Sequence, residues 1–322
     1  MLGSVFHDTN NLAIRNLYGP DVITLDPQDK KKVISVDWEV WKLRMFTSIY
    51  ASLFQIPNTR ECILAVDDKS SWRYKIWPRY KEERKRKPKQ SDIDMELFFK
   101  VYSEFMQELT DFFPIKVLKV PFAEGDDIIG TLVPENNTNK SLIISTDKDY
   151  LQLFSKNVKV YNPIKKEYME HPNPEMFIIE QCMIGQVKDS IFNIVTPQDY
   201  PIGLRKPGFG PKAFEKAVVV GIKETLGQTK KIPKKKYKID EEERTYSNDG
   251  FSLQERFDFN RKLMDFQLIP NVVKNAIRES YYNSKAYFPD DPGVMHEFFK
   301  KHNWPEYLEQ YVKVEQKLLN LF

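Results

Sequence analysis

The segment 141–151, SLIISTDKDYL, constrains the fold more than any other stretch of the chain. Leu142, Ile143 and Ile144 make a short apolar, partly β-branched run that reads as a buried strand, and Asp147 and Asp149 follow at once. Two carboxylates therefore stand at the carboxyl end of a strand, the edge at which open α/β sheets bind ligands. An Asp after a strand is also an ordinary turn or cap residue, so repetition carries the weight. Cys62 to Val66 runs into Asp67 and Asp68, and Lys116 to Val120 leads through Pro121, Phe122 and Ala123 to Glu124, Asp126 and Asp127, ahead of a helix beginning at Ile128.

Parallel neighbouring strands would bring the three acidic clusters into one small volume. Like charges repel strongly there unless a cation sits among them. With oxygen ligands only, and no His or Cys in the clusters, a hard cation is expected, Mg²⁺ or Mn²⁺.

The remaining charge is segregated too. Lys plus Arg number 49 and Asp plus Glu 46, a surplus of 49 − 46 = 3. The acids gather at strand ends while the bases gather in runs, which suits a metal centre surrounded by a bound polyanion. A length of 322 residues with 41% hydrophobic content allows a full core and more than one lobe. Two cysteines, Cys62 and Cys182, give no disulfide framework and fit a reducing cytoplasm, which is the expected location. No apolar run is long enough to span a membrane, and the N-terminus lacks a signal pattern.

In chain order, residues 3–6 read as a first strand ending at Asp8, with Asn10 and Asn11 turning into a helix. Asp8 is either one more acid at the shared edge or a helix cap. Residues 19–32 read as a polar connection. Helices are expected over 38–53, 97–113, 176–184, 253–268 and 272–282, and a further strand over 158–161. Residues 72–89, WRYKIWPRYKEERKRKPK, interleave bases with four aromatic rings, a pattern that suits a single-stranded nucleic-acid end, with a solvated charge run as the bland alternative. Residues 229–238, TKKIPKKKYK, read as an exposed loop that makes weak, nonspecific DNA contact. Gly208-Phe209-Gly210 opens a helix, so its backbone N–H groups and Lys212 can hold a phosphate oxygen. At the end of the chain, Gln316, Leu319 and Phe322 have the spacing of peptides that dock into sliding clamps. Packing of that helix on its own domain is the alternative.

In this order the pieces resemble the flap endonuclease and 5′-to-3′ exonuclease family, nearest to the replication ribonuclease H type of tailed bacteriophages. The resemblance runs from about Asp8 to the region 270–282. It rests on the strand-end Asp8 and Asp67, on Arg73, and on Pro78-Arg79-Tyr80-Lys81-Glu82-Glu83-Arg84 as Pro-x-Tyr-Lys-x-x-Arg. Glu124 to Asp127 match Glu-small-Asp-Asp, and Ser145 to Asp149 match Ser-Thr/Ser-Asp-x-Asp. The chain departs where the family has Gly-Asp-x-x-Asp-Asn, reading Gly185-Gln186-Val187-Lys188-Asp189-Ser190; an amide at Gln186 implies a weaker second metal site.

The resemblance implies an α/β fold: a largely parallel central sheet with helices on both faces, a basic arch at about 69–95 and a helical C-terminal lobe. The expected division is 1–184 for the nuclease domain and 185–322 for the lobe, with a helix-hairpin-helix element. It implies two-metal phosphodiester hydrolysis, with Asp67, Glu124 and Asp126 at the first ion and Asp8 nearby, and Asp147, Asp149 and Asp189 at the second. Lys81 and Arg84 would balance charge on the scissile phosphate, Arg73 and Tyr80 would meet the substrate, with Tyr80 stacking on the terminal base, and the Gly208–Gly210 turn would grip duplex backbone. Expected substrates are 5′ ends and flaps of DNA and RNA–DNA duplexes, as in removal of lagging-strand RNA primers by a monomer. A sliding clamp and a single-strand DNA-binding protein are the expected partners. Two rivals stay open: a flap- or fork-binding factor that does not cut, and a PIN-type ribonuclease.

Overall fold

A computed structural model describes residues 3–29, 32–55, 59–86, 92–136, 139–201, 204–239, 242–284 and 293–319. The chain forms two compact units. One comprises Met1–Ser71, Lys89–Glu170 and Asn271–Phe322, the other Trp72–Pro88 and His171–Pro270.

The strands of the first unit are β1 (Gly3–Asp8), β2 (Ile23–Leu25), β3 (Val33–Val36), β4 (Thr59–Val66), β5 (Lys116–Lys119), β6 (Lys140–Ile144), β7 (Val158–Asn162) and β8 (Glu167–Met169). Six of them form one sheet in the order β5-β4-β1-β6-β7-β8, parallel throughout except for β8, which pairs antiparallel with β7. Inner strands of a parallel sheet are covered on both faces, which explains why β1, β4 and β6 are buried over most of their length, with the apolar runs Val5–Phe6, Cys62–Val66 and Leu142–Ile144. The chain leaves β1 toward β4 and β5 on one side, then returns to build β6, β7 and β8 on the other. That reversal makes β1 a switch point, with the crevice at the carboxyl ends of β4, β1 and β6. Within and just after the polar connection of 19–32, β2 and β3 pair antiparallel.

Local chemistry sets the helices. Asp94 caps the helix Met95–Phe112 through N–H donors of Glu96 and Leu97, each at 3.0 Å, and Phe98, Tyr102, Phe105 and Leu109 bury one stripe of it against the core. Asp37 caps Trp38–Ser52 in the same way.

The expected boundary at 184/185 does not match the compact units. Helices Gly293–Lys301 and Pro305–Leu319, with Trp304 between them, put Phe298, Phe299, Trp304 and Leu318 into the core that holds Phe46, Phe105 and Phe113. The Phe113 and Phe298 ring centroids lie 4.8 Å apart. Each such ring contributes roughly 1.5–3 kcal/mol by burial, more than the 0–1 kcal/mol of a surface ion pair, so apolar content and not chain position assigns these helices.

In the second unit, Cys182, Met183, Phe192, Tyr200, Phe214, Leu253, Phe257 and Leu263 form the core, together with Trp77 and Tyr80 from residues 72–88. Its helices include Pro174–Ile184, Pro211–Val220 and Leu253–Met264. Residues 229–239 are not a loop. They form β9 (Thr229–Ile239), which pairs antiparallel with β10 (Glu242–Ser252).

Candidate metal centre and nucleic-acid interface

The acids of the first unit meet because the strands that carry them are adjacent and run the same way. Asp8 ends β1, Asp67 follows β4, Glu124 and Asp126 follow β5 after a short turn, and Asp147 and Asp149 follow β6. Most of these side chains also fasten backbone. Asp8 caps the helix Thr9–Leu17 through the Asn11 N–H at 3.2 Å and accepts from Ser145 Oγ at 2.9 Å. Asp67 Oδ1 accepts from the Gly125 N–H at 2.7 Å. Asp147 accepts from the Asp149 N–H at 3.0 Å, opening a 3₁₀ turn over Lys148–Leu153. Gly125 fits closely here: a Cβ would stand 3.0 Å from Ala65 O and 3.2 Å from Asp67 Oδ1, so a side chain would press on the strand end by a few tenths of an ångström. Glu124 and Asp127 form a capping box in which Asp127 Oδ2 accepts from the Glu124 N–H at 2.9 Å.

Among the described residues, Glu124, Asp126 and Asp127 place carboxylate oxygens within 4.8 Å of one another. Around them the field is strongly negative. Burial, then the charge of Asp67, and less so that of Asp147, push the Asp8 carboxyl up to about 7, against hydrogen bonds from Asn11 and Ser145 that pull it down. The buried Tyr150 hydroxyl is held far above its usual value by burial and by Asp8, Asp126, Asp147 and Asp67 together. Hydrogen bonds bring the segments together: Asp67 accepts from the Gly125 N–H between Glu124 and Asp126, and Asp8 accepts from Ser145 Oγ, which in turn accepts from the Asp147 N–H at 3.0 Å. An all-oxygen, electron-rich donor set of this kind fits a hard divalent cation.

Several residues that build this centre escape a reading of the sequence. Asn10 Oδ1 accepts from the Asp67 N–H at 3.1 Å and from Tyr102 Oη at 3.0 Å, while Asn11 and Thr146 bond side chain to side chain at 2.9 Å. They tie the ends of β1, β4 and β6 together. The asparagines directly after Asp8 are the available signal; nothing local marks Tyr102 or Tyr150. Asp127 is the further acid at the cluster, and Asp68 turns aside to accept from the Phe122 N–H at 3.0 Å. A cleft of about 1420 Å³ opens beside Asp67, lined in part by Lys69, Phe99, Lys100, Tyr102 and Lys119.

In the second unit the expected substrate residues are arranged differently. Arg73 is 2% exposed and donates from Nε to Leu263 O at 2.7 Å. Tyr80 is 4% exposed, with its ring 5.5 Å from that of Tyr74. Both side chains are packed within the unit, and apolar burial claims the Tyr80 ring expected to stack on a terminal base. Lys81 sits at φ +58°, its N–H donating to Asp189 O at 2.9 Å, and its Nζ lies 5.0 Å from the Tyr80 ring centroid. Asp189, expected at the second ion, is buried and accepts from Arg84 Nη2 at 2.5 Å. It serves within its unit as the partner of Arg84 and is not among the three carboxylates of the tight cluster. Ser190 takes a left-handed φ of +59°, a conformation Asn tolerates better. Gly185, at φ +74°, admits no side chain, because a Cβ would be 2.6 Å from Ile191 O.

Gly208 and Gly210 precede Pro211–Val220 with open space around both positions, and Lys212 is exposed. Among the described residues 191–201 and 204–210 there is no helix, so the expected helix-hairpin-helix lacks its first helix there. A short helix, Ile222–Leu226, follows Gly221. At the chain end, Gln316 is exposed and Leu318 is buried, whereas the Leu319 side chain and Phe322 lie outside the described residues. Among the described residues no helix is long and apolar enough to cross a membrane.

Comparison with known proteins agrees with this geometry. Residues 5–181 match the family model of the 5′-3′ exonuclease N-terminal, resolvase-like domain. Ribonuclease H of Enterobacteria phage T4 is 27% identical over 247 residues, 74% of each chain. A flap endonuclease Xni from Pseudoalteromonas translucida is 31% identical over 134 residues, 41% of this chain and 49% of its own. The phage T5 D15 flap endonuclease, solved as a pseudo-enzyme-product complex with DNA and metal ions, shares the fold with a TM-score of 0.59. It is 16% identical, with 87% of this chain and 97% of that one covered. With acids from neighbouring parallel strands gathered at one edge and a family match over more than half its length, the chain belongs to the 5′-3′ exonuclease and flap endonuclease family of nucleases.

Proposed function

We propose that this chain hydrolyses phosphodiester bonds at 5′ ends and 5′ flaps of DNA and RNA–DNA duplexes with Mg²⁺, and so removes RNA primers from lagging-strand fragments in phage DNA replication. The observation that carries the reading is that carboxylates from the ends of β1 and β4 and from the turns after β5 and β6 stand at one edge of the parallel sheet, linked by the Asp67–Gly125 and Asp8–Ser145 hydrogen bonds. Glu124, Asp126 and Asp127 would hold a divalent ion, with Asp8, Asp67, Asp147 and Asp149 around it. A bound ion lowers the pKa of an attacking water and neutralises charge on the phosphoryl group. The chain's own residues position the rest. Asn10, Asn11 and Thr146 fix the strand ends so that the carboxylates keep their spacing. Lys69, Lys100 and Lys119 in the cleft beside Asp67 offer cations to an incoming strand, and Phe99 offers a face for a base. Lys81, Arg84, Lys212 and the Gly208–Gly210 turn are further phosphate-binding elements of this reading. Its partners are a sliding clamp, through Gln316, Leu319 and Phe322, and a single-strand DNA-binding protein.

Cleavage of a labelled 5′-flap duplex tests the reading. Asp126→Asn is expected to lower the rate by roughly 10³-fold, because several kcal/mol of transition-state stabilisation pass through the ligands, while thermal melting stays unchanged. A variant that cuts as fast as the parent retires the assignment. An inactive parent that still binds the flap in magnesium favours the non-cutting rival.

Acidity gives a second measurement. The folded Asp8 carboxyl takes up a proton near pH 7 instead of the ordinary 3.8, so proton and cation compete for the same oxygens as pH falls through 7. Mn²⁺ affinity measured by titration calorimetry is expected to weaken by up to about tenfold per unit below pH 7, with proton release on binding. Affinity that does not change between pH 8 and 6 contradicts Asp8 as a ligand.

A further inference from the structure

The second basic run is built as a ribbon whose charges point to a use outside the protein. β9 carries Lys230, Lys231, Lys234, Lys235, Lys236 and Lys238, all exposed. Among the described residues only Lys236 of this run has an ion pair, with Glu243 at 3.1 Å. Six ammonium groups within nine residues repel one another, and like charges on one face of a strand destabilise it.

The ribbon is nonetheless anchored. Ile232 is 6% exposed in the core of the second unit, the Tyr246 ring lies 5.1 Å from that of Tyr200, and Tyr246 Oη donates to Asp199 at 2.7 Å. In register, Lys235 faces Tyr246 and Tyr237 faces Arg244, whereas Lys236 faces Thr245 and Lys238 faces Glu243. Side chains alternate along a strand, so the Tyr237 and Tyr246 side looks toward the core and Lys236 and Lys238 stand on the opposite face. The register shifts where β9 passes through Pro233, and Lys234 follows.

Lysines also guard exposed strand edges against aggregation. Both strands of a two-stranded ribbon have an open edge, yet the lysines are confined to β9, while β10 carries Glu242, Glu243 and Asp249. Edge protection predicts no such asymmetry. Lys236 and Lys238, two residues and about 6.6 Å apart along the strand, with the exposed Lys234 just before them at the register shift, make a line of cations that fits a polyanion whose charges also repeat along a line.

We propose that the solvent face of β9, with Lys234, Lys236 and Lys238, is an arm that tracks the phosphodiester backbone of duplex nucleic acid, built from residues other than those of the metal centre and the Gly208–Gly210 turn. The arm adds affinity without reading sequence and requires only that the protein bind nucleic acid, not that it cut.

The test measures equilibrium binding of the full chain to a blunt DNA duplex and to an RNA–DNA duplex by fluorescence anisotropy, in chelator, so that no cleavage is involved. In Lys234→Gln/Lys236→Gln/Lys238→Gln, affinity at 50 mM salt is expected to fall at least about tenfold on both duplexes. The slope of log K against log salt should decrease in magnitude by about 3, one for each lysine taken away from a phosphate. A control with the exposed Lys140, Lys156 and Lys159 of the first unit changed to Gln should keep both quantities. Circular dichroism and melting report whether the ribbon variant is folded. An unchanged slope in a folded ribbon variant overturns the proposal, as does an equal loss in the control. Retained duplex binding with selective loss of binding to a poly-glutamate peptide overturns it in favour of an acidic protein partner.

Discussion

Two basic runs lie in the second compact unit, and they meet opposite fates. Residues 72–86 turn their rings inward. Trp72, Trp77 and Tyr80 are buried, Arg73 is buried with them, and Trp77 Nε1 donates to Ser190 O at 3.0 Å. Of residues 229–238, only Ile232 is deeply buried, and every lysine is exposed. The difference teaches that aromatic residues among bases are not by themselves a nucleic-acid surface. A Trp buries far more apolar area than a stacking contact at an exposed strand would recover, so where a core is within reach the ring goes there and takes its neighbouring cation along. Where the run is mostly lysine, nothing competes with solvent and the charges remain available.

The largest expected effect sharpens that contrast. Trp77→Ala removes a ring 5.6 Å from Phe259 and 6.4 Å from Phe192 and should destabilise the protein by about 3–5 kcal/mol in urea unfolding. A loss below about 1 kcal/mol would return Trp77 to the surface and break the comparison. The smallest effect lies on the other run. Lys231→Gln/Lys235→Gln should change stability by no more than about 0.5 kcal/mol, as at ordinary exposed sites, with a slight gain at low salt from relieved repulsion. A loss of about 2 kcal/mol or more would mean that these lysines hold structure.

The same logic separates what is legible in the chain from what is not. The strand-then-acid units are legible because each is local: a short apolar run, then carboxylates that cap the next turn. β1, β4, β5 and β6 form where expected, and Asp8, Asp67, Glu124, Asp126 and Asp147 stand at the edge the pattern implies. Tyr102 and Tyr150 are illegible, because a buried tyrosine looks like any core residue until Asn10 or four carboxylates are found beside it. Asp189 is legible only in part, for a related reason. The motif locates it, but its partner, Arg84, lies 105 residues away and is set by packing. The ribbon reads as a loop because a run of lysines carries no period that separates an exposed strand from a disordered segment.

The sequence by itself determined the family and the acid-bearing strand ends, because hydrophobic runs, caps and turn chemistry act within a few residues and need no distant partner. Tertiary structure alone decided that four strands align in parallel so that their acids converge, and that the helices Gly293–Lys301 and Pro305–Leu319 pack into the first core. It also decided which basic run buries its rings and which one keeps its charges in water. Those outcomes depend on apolar area and charge that only meet once segments far apart in the chain are packed together.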